Sequence, residues 1–158
     1  MRLAEELGFV KDFEDSSHEA LLSIYHTASL ARKKSAEFFQ TYGITDVQFN
    51  LLMLLRYQGD NRGLRQVDLS RMTLVNRASV TAMIDRMEKS GLVSRANVPD
   101  DRRSNYVRLT RKSLALLERI EERYKSEIDL IMKALSPQET TQLLDMLQRI
   151  RGNLRHVK

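Results

Sequence analysis

Apolar residues recur every three or four positions over most of the chain, and this spacing predicts amphipathic helices. A Ser or Thr followed three residues later by Glu or Gln, the spacing of a capping box, indicates three helix starts. These pairs are Ser16 with Glu19, Thr45 with Gln48 and Ser136 with Glu139. The first helix is predicted to run to Tyr42, and Gly43 is its stop. Residues 1–15 show no clear period.

Three shorter helices are predicted in the middle of the chain, at Thr45–Gln58, Leu64–Met72 and Arg77–Ser90. Asn76 is the predicted N-cap of the third helix, and Gly91 ends it. One face of this third helix is apolar, and we expect it to be buried. Its residues are Val80, Ile84 and Met87.

The hydrophobic period then changes from 3.6 to 2, which predicts two strands, Leu92–Ala96 and Tyr106–Leu109. Residues 97–105 are predicted to form the polar tip of this hairpin. The predicted element order is that of a winged helix-turn-helix: a helix, a short helix, a turn, a longer helix and a hairpin. We predict a mainly α fold with a small β-hairpin wing. Residues 1–158 are predicted to form a single domain, in which the winged helix-turn-helix spans residues 45–110.

Two long helices are predicted after the hairpin, one capped by Thr110 and one that begins at Ser136 with Pro137 in its first turn. Their apolar positions have near-heptad spacing. They are Leu114, Leu117, Ile120, Tyr124, Ile128, Ile131 and Leu135 in the first, and Leu143, Leu147, Ile150 and Leu154 in the second. A lone helix cannot bury such a stripe, so it needs a partner helix, either from the same chain or from a second copy.

Composition is that of a globular protein outside the membrane. The chain has 158 residues, which is enough to form a core. Of these residues, 42% are hydrophobic and 30% are charged. The longest apolar runs, such as Leu51–Leu55, are far shorter than the roughly 20 residues needed to cross a bilayer. The first ten residues lack the apolar region of a signal peptide. We therefore expect a cytoplasmic protein with no membrane partner, and the lack of cysteine excludes disulfides and thiol redox switches.

Positive charge is concentrated in the middle third of the chain. Residues 62–112 contain twelve Lys and Arg against five Asp and Glu, a net charge of +7. The rest contains fourteen basic and sixteen acidic residues, a net charge of −2. A concentrated basic segment is typical of proteins that bind polyanions such as DNA. The alternative is a solvated basic surface with no such partner.

The predicted helix at 77–90 has the side chains of a helix that reads DNA. Small residues let a helix approach the bases closely, and polar residues contact bases or phosphates. The candidate DNA-binding residues are Asn76, Arg77, Ser79, Thr81 and Arg86. Arg77 can reach a guanine or a phosphate, and Lys89 follows the same face. The alternative is an ordinary amphipathic helix with a solvated polar face.

The predicted hairpin tip carries Asp100, Asp101, Arg102 and Arg103 in succession. Two adjacent guanidinium groups repel each other in a free turn, whereas the negative potential of a narrow minor groove attracts them. We therefore predict that Arg102 and Arg103 bind DNA and that Asp101 orients an arginine. The alternative is a charged turn with exposed ion pairs, each worth about 0–1 kcal/mol.

Four segments of the sequence resemble the MarR family of bacterial and archaeal regulators. They are Leu64–Met72, Asn76–Thr81, Ile84–Arg95 and the motif Asp101-Arg-Arg followed by Val107-Arg-Leu-Thr110. The wing motif is the most specific of them, and the resemblance covers residues 16–155. Two positions depart from the family pattern. Arg65 stands where a Thr or Ser cap is usual, which predicts a less well fixed helix start, and Ser70 replaces a frequent Ala.

The resemblance implies a ligand-responsive repressor that binds a pseudo-palindromic operator in double-stranded DNA as a homodimer. The dimerisation helices would be residues 16–43 and 111–158. The recognition helix would read the major groove while a wing arginine enters the minor groove. By motif match this arginine is Arg103, paired with Asp101, and Arg102 is the second candidate. Two recognition helices about one DNA turn apart can read a two-fold operator.

The resemblance also implies a small aromatic or phenolic effector, bound between the dimerisation helices and the DNA-binding part. The candidate pocket residues are Tyr25, His26, Phe38, Tyr42 and Phe49, and core packing is the alternative for each. We expect no metal and no cofactor, because the three histidines are scattered and cysteine is lacking. The chain also lacks a nucleophile constellation and a phosphate-binding glycine loop, so we predict a regulator and not an enzyme. A winged-helix module that binds protein is the remaining competitor.

Overall fold

The computed structural model describes residues 2–60, 62–73, 77–98 and 101–157, without the side chains of residues 77, 78, 98 and 101–104. The helices are α1 (Leu3–Glu6), α2 (Ser16–Gln40), α3 (Asp46–Gln58), α4 (Gln66–Met72), α5 (Arg77–Lys89), α6 (Arg111–Met132) and α7 (Pro137–Leu154). The strands are β1 (Leu64–Arg65), β2 (Val93–Val98) and β3 (Asp101–Leu109). The predicted mainly α fold with a small β wing is confirmed.

The chain forms two compact units, Met1–Ser113 and Leu114–Lys158. The first unit contains α1 to α5, the sheet and the start of α6. Its Thr110 Oγ1 accepts a hydrogen bond from the Ser113 N–H at 3.2 Å, so the predicted cap of α6 is confirmed. The second unit contains the remainder of α6 and all of α7. None of the described helices is both long and apolar enough to cross a membrane.

The core of the first unit buries one face of α5 and much of α3. Val80, Ile84 and Met87 are fully buried, as their spacing predicts. On α3, Phe49 is 1% exposed, and its ring stacks on that of Phe39 from α2 with 4.5 Å between centroids. Each fully buried apolar side chain contributes about 1.5–3 kcal/mol to folding. The core therefore determines which face of α5 stays in water.

Side-chain caps begin α3, α6 and α7 as the sequence predicts. The capping boxes at Thr45 and Ser136 both form. The prediction that Ser16 is the N-cap of α2 is wrong, because the N-cap is Asp15, whose carboxylate accepts a hydrogen bond from the Ser17 N–H at 2.8 Å. A carboxylate at this position also interacts favourably with the positive end of the helix dipole. Ser16 is therefore the first helical residue.

A three-stranded antiparallel sheet in the order β1-β3-β2 carries the wing. The prediction of a helix from Leu64 is wrong, since Leu64 and Arg65 pair as a strand with Val107 and Tyr106 of β3. Helix α4 begins at Gln66 and has no side-chain cap at Arg65, in line with the departure from the family pattern there. Pairing with β3 immediately before α4 fixes its start instead.

The β2–β3 hairpin is longer than its alternating pattern predicts. Strand β2 continues to Val98 and β3 begins at Asp101, so the prediction of a tip over residues 97–105 is wrong for most of that stretch. Asn97 pairs with Asn105, and a register shift then brings Val98 opposite Asp101. Backbone pairing does not require apolar side chains, and a polar segment lacks the alternation that reveals a strand.

Gly63 lies where the chain turns into β1, and its φ is 88°. A β-carbon at this position would come within 2.1 Å of the Val107 carbonyl oxygen, which belongs to the backbone of β3. On the same turn, Arg108 Nε donates a hydrogen bond to the Arg62 carbonyl at 2.7 Å. Both the left-handed conformation and the close approach require glycine here.

Gly63→Ala is expected to lower the free energy of unfolding by about 1–3 kcal/mol, because the added methyl group strains the turn and pushes β1 from β3. The matched control is Gly152→Ala in α7, where a β-carbon meets no atom within 4 Å. That substitution should raise the free energy of unfolding by roughly 0.5–1 kcal/mol. Thermal unfolding followed by circular dichroism measures both, and equal Tm values for the two variants would contradict the prediction.

Candidate nucleic-acid interface

The exposed surface of α5 carries the polar side chains that the sequence assigns to DNA binding. Ser79, Thr81 and Arg86 are all exposed, outside the buried stripe of the helix. Arg86 Nε donates a hydrogen bond to the Ala82 carbonyl at 3.3 Å, so its guanidinium lies along the helix. Ala82 is exposed as well, and its small side chain leaves room for close approach to a ligand.

Five of the predicted site residues, four DNA contacts and the orienting Asp101, lie wholly or in their side chains outside the described part of the structure. They are Asn76, Arg77, Asp101, Arg102 and Arg103. The backbone of residue 77 belongs to α5, and the backbones of residues 101–103 belong to β3. The DNA contacts of these residues and of the exposed residues of α5 stay predictions.

Thr81 is held from the neighbouring helix of the helix-turn-helix. Gln66 Nε2, at the first position of α4, donates a hydrogen bond to Thr81 Oγ1 at 2.9 Å. This contact joins residues fifteen positions apart. It orients a side chain on the exposed surface of α5 from outside that helix.

An ion-pair cluster that sequence reasoning missed joins β2 to α5. Arg95 Nη1 donates to Glu88 Oε2 at 2.6 Å, and Arg95 Nη2 donates to Asp85 Oδ1 at 2.5 Å. Glu88 Oε1 also accepts from the Arg95 backbone N–H at 3.0 Å. Burial opposes the charge of Arg95, but the hydrogen bonds with Asp85 and Glu88 outweigh that effect and raise its pKa. The arginine therefore fastens β2 to α5.

A sequence signal for this cluster exists. Asp85 and Glu88 are three residues apart, so they share one side of α5. Arg95 stands two positions after the buried Val93 on β2 and therefore points to the same, inner face of the sheet. An arginine on an inner face needs an anionic partner.

Most of the positive charge of residues 62–112 is carried by exposed side chains and not by Arg95, which is partly buried. The exposed Lys and Arg residues among the described side chains of 62–112 are Arg62, Arg65, Arg71, Arg86, Lys89, Arg108, Arg111 and Lys112. Arg62 pairs with Asp60 at 3.0 Å, and its hydrogen bonds hold the pKa of that carboxyl below the ordinary value. An exposed basic set of this size suits a phosphate backbone.

Three of the five residues predicted for an effector pocket belong to one aromatic cluster. Phe49 stacks on Phe39, and the rings of Phe38 and Tyr42 lie 5.3 Å apart. The Tyr42 hydroxyl is buried, and among the described residues it has no hydrogen-bond partner. The packing is that of a core, and a ligand role for these three residues stays a prediction.

The other two pocket candidates, Tyr25 and His26, lie nearer the start of α2. Tyr25 is 60% exposed, and His26 Nε2 lies 3.5 Å from a carboxylate oxygen of Glu6 in α1. Their ligand role stays a prediction too. Within the described ranges, His, Asp and Glu side chains form no group of three that could hold a metal ion.

A groove of about 740 Å³ opens between α2, α3 and the end of α4. Its volume lies within the range of about 300–1,000 Å³ that is typical of small-molecule sites. Its walls are mainly apolar and include Arg32, Val47, Met53, Leu54, Tyr57 and Met72. The five predicted pocket residues are not among its described lining residues. The sequence did contain a signal for this groove, because α3 has apolar residues both on its buried face and outside it.

The helices α4 and α5 followed by the β2–β3 hairpin have the arrangement of the winged helix-turn-helix class, and comparison with known proteins agrees. Residues 42–104 match the model of the MarR family. The HTH-type transcriptional regulator YkoM of Bacillus subtilis (strain 168) is 30% identical over 149 residues, which cover 92% of this chain and 95% of YkoM. The HTH-type transcriptional repressor YetL of the same organism is 27% identical over 145 residues, 92% of this chain and 86% of YetL. The chain belongs to the MarR family of transcriptional regulators.

Solved structures share the fold. Sco3205, a MarR family regulator from Streptomyces coelicolor solved in complex with DNA, has a TM-score of 0.80 at 22% identity and covers 92% of each chain. The organohalide-sensing regulator RdhR in its 2,4-dichlorophenol bound form has a TM-score of 0.78 at 18% identity, over 92% of this chain and 87% of that chain. These likenesses establish the winged-helix fold of the chain.

Proposed function

We propose that the chain binds a pseudo-palindromic operator as a homodimer and represses transcription, with α5 in the major groove and the β2–β3 wing in the minor groove. The observation that carries this proposal is the exposed polar surface of α5 beside the wing, within a segment of net charge +7. The 13 residues of α5 form a helix about 20 Å long. A major groove about 12 Å wide admits such a helix.

Two relatives support the parts of this proposal. The neighbour Sco3205 is solved with DNA, and the relative YetL is named a repressor. A reporter gene with a selected operator inside its promoter tests repression directly. Expression should fall when the chain is produced, and a rise would show activation instead.

Salt dependence separates DNA binding from the competing interpretation, a winged-helix module that binds protein. Contacts with phosphates release counterions, so the affinity for a duplex selected from a random library should fall by roughly tenfold or more between about 50 and 200 mM salt. No affinity for any duplex in dilute buffer would contradict the proposed function.

Arg103→Ala is expected to weaken operator binding by about tenfold, because a minor groove of strongly negative potential loses its cation. Fluorescence anisotropy with a labelled operator gives the Kd, and thermal unfolding shows whether the fold is intact. Arg149→Ala, at an arginine of α7 with a 77% exposed side chain, is the control for loss of a positive charge. Unchanged affinity in Arg103→Ala would refute the wing assignment.

The dimer is proposed because a single chain leaves many large apolar side chains in water. On α2, Leu21, Tyr25 and Leu30 are exposed. In the second unit the exposed set is Leu114, Ile128, Leu130, Ile131, Leu143, Leu144, Met146, Ile150, Leu154 and Val157. Exposed apolar residues in such number indicate an interaction surface, and near-heptad stripes on long helices suit a second copy of the same helices.

The double substitution Ile128→Asp with Leu147→Asp is expected to separate the dimer, because each carboxylate would be buried in an apolar interface. The matched control is Ser126→Asp with Gln148→Asp, which adds the same charge at exposed neighbouring positions of the same helices. Light scattering should give the mass of one chain for the first variant and of two chains for the control, and operator binding should follow the dimer. An intact dimer in the first variant would show that these residues pack elsewhere.

We also propose that a small aromatic or phenolic effector binds in the groove between α2, α3 and α4. Val47, Met53 and Leu54 offer an apolar wall to a ring, and Arg32 can pair with an acidic substituent. Met72, in the last turn of α4, lines the same groove. A bound ring would therefore touch the helix that precedes α5. The 2,4-dichlorophenol form of RdhR supports the class of ligand.

Met53→Trp is expected to fill the groove and abolish the effector response while operator affinity stays within about twofold of the original chain. The probes are 2,4-dichlorophenol and benzoate, titrated into the chain bound to labelled operator. Lys34→Trp, at an exposed position of α2 outside the lining of the groove, is the control and should keep the response. An undiminished response in Met53→Trp would place the effector elsewhere.

A further inference from the structure

A chain of hydrogen bonds runs from the wing strand to the exposed surface of α5. Arg95 Nη2 on β2 donates to Gln66 Oε1 at 3.5 Å, and Gln66 Nε2 donates to Thr81 Oγ1 at 2.9 Å. Arg95 is in turn held by Asp85 and Glu88 of α5. The side chain of Gln66 therefore connects the strand that leads into the wing with a residue predicted to contact DNA.

The two neighbours of Gln66 fix the direction of its amide. A guanidinium has five N–H donors and no acceptor, so only the amide oxygen can face Arg95. The amide nitrogen must then face Thr81, whose oxygen accepts. A reversed amide would place its NH₂ group against the guanidinium and lose the contact with Arg95. Gln66 thus links the Thr81 hydroxyl to Arg95.

We propose that Gln66 is a positioning residue that couples the wing's contact with DNA to the contact made by α5. This inference rests on the proposed function, because it requires that both elements bind one duplex. A displacement of β2 moves Arg95, and Gln66 transmits that displacement to Thr81. In the opposite direction, DNA that holds Thr81 also holds β2. The two contacts therefore strengthen each other.

This link is separable from the stability of the fold. The hydrogen bond between Gln66 and Thr81 is exposed to solvent, and such a bond adds little to the net free energy of unfolding. The core residues Leu69 on α4 and Val80 on α5 are both fully buried and hold the two helices without it. Loss of Gln66 should therefore change DNA binding far more than thermal unfolding.

Double-mutant cycles on the full-length chain test the proposal, with Kd measured for a selected operator and for a random duplex. Thr81→Val removes the hydroxyl with little change of shape, and Arg103→Ala removes the predicted wing contact. With Gln66 present, the combined loss of operator affinity should differ from the product of the single losses by about three- to tenfold. With Gln66→Met, this departure should shrink by about threefold or more, to what the ion pairs of Arg95 with α5 still transmit.

Three further variants show whether the amide itself acts. Gln66→Leu lacks both the acceptor for Arg95 and the donor to Thr81, so it should weaken the coupling as Gln66→Met does. Thr81→Ser keeps the hydroxyl and should keep operator affinity. Gln142→Met, at an exposed position of α7, should leave the coupling unchanged. Thermal unfolding of the Gln66 variants should stay within about 4 °C of the original chain.

Coupling that persists undiminished in Gln66→Met and Gln66→Leu, or that does not occur in the original chain, overturns the proposal. If Gln66→Met does not fold, the cycle with Gln66→Leu decides the matter in the same way. Failure of the original chain to bind any selected duplex would contradict the proposed function instead. The two failures are thus distinguishable.

Discussion

Apolar burial on one side of α5 decides what its other side can do. Val80, Ile84 and Met87 are fully withdrawn from water, and turning the helix by one residue, about 100°, would bring them to the surface. At about 1.5–3 kcal/mol for each side chain, that rotation would cost about as much as the whole net stability of a small domain. The orientation of Ser79 and Thr81 is therefore fixed by packing before any ligand arrives.

The core fixes the orientation of α5, and polar contacts then fix the positions of the neighbouring elements more closely. The ion pairs of Arg95 with Asp85 and Glu88 tie β2 to α5, and β1 ties the start of α4 to β3. A hairpin attached only by its backbone would be free to tilt against the helix. Here the strand and the helix share a partly buried arginine, whose removal would leave two carboxylates without their cation. The β2–β3 hairpin and α5 are therefore positioned together as one part of the first unit.

Features that depend on neighbours in sequence were predictable, and features that depend on distant residues were not. The capping boxes at Thr45 and Ser136 form because both partners lie within one turn of a helix. Even there a competing local cap can win, as Asp15 does over Ser16. Strand β1 has two residues, too few to show a period, and it exists because β3 lies beside it. The candidate DNA-binding residues on α5 followed from its buried stripe, whereas the partners of Arg95 are set by the docking of a strand on a helix. The groove illustrates the same limit, because its walls come from three helices and no single stretch of sequence outlines it.

One of the residues that line the groove, Tyr57, is fluorescent. The sequence contains five tyrosines and no tryptophan, so ultraviolet emission from the folded chain arises from phenol rings alone. An aromatic occupant of the groove would lie next to one of these five emitters. Binding of an aromatic compound can thus be followed by the quenching of intrinsic tyrosine fluorescence, without a dye and without any change to the chain.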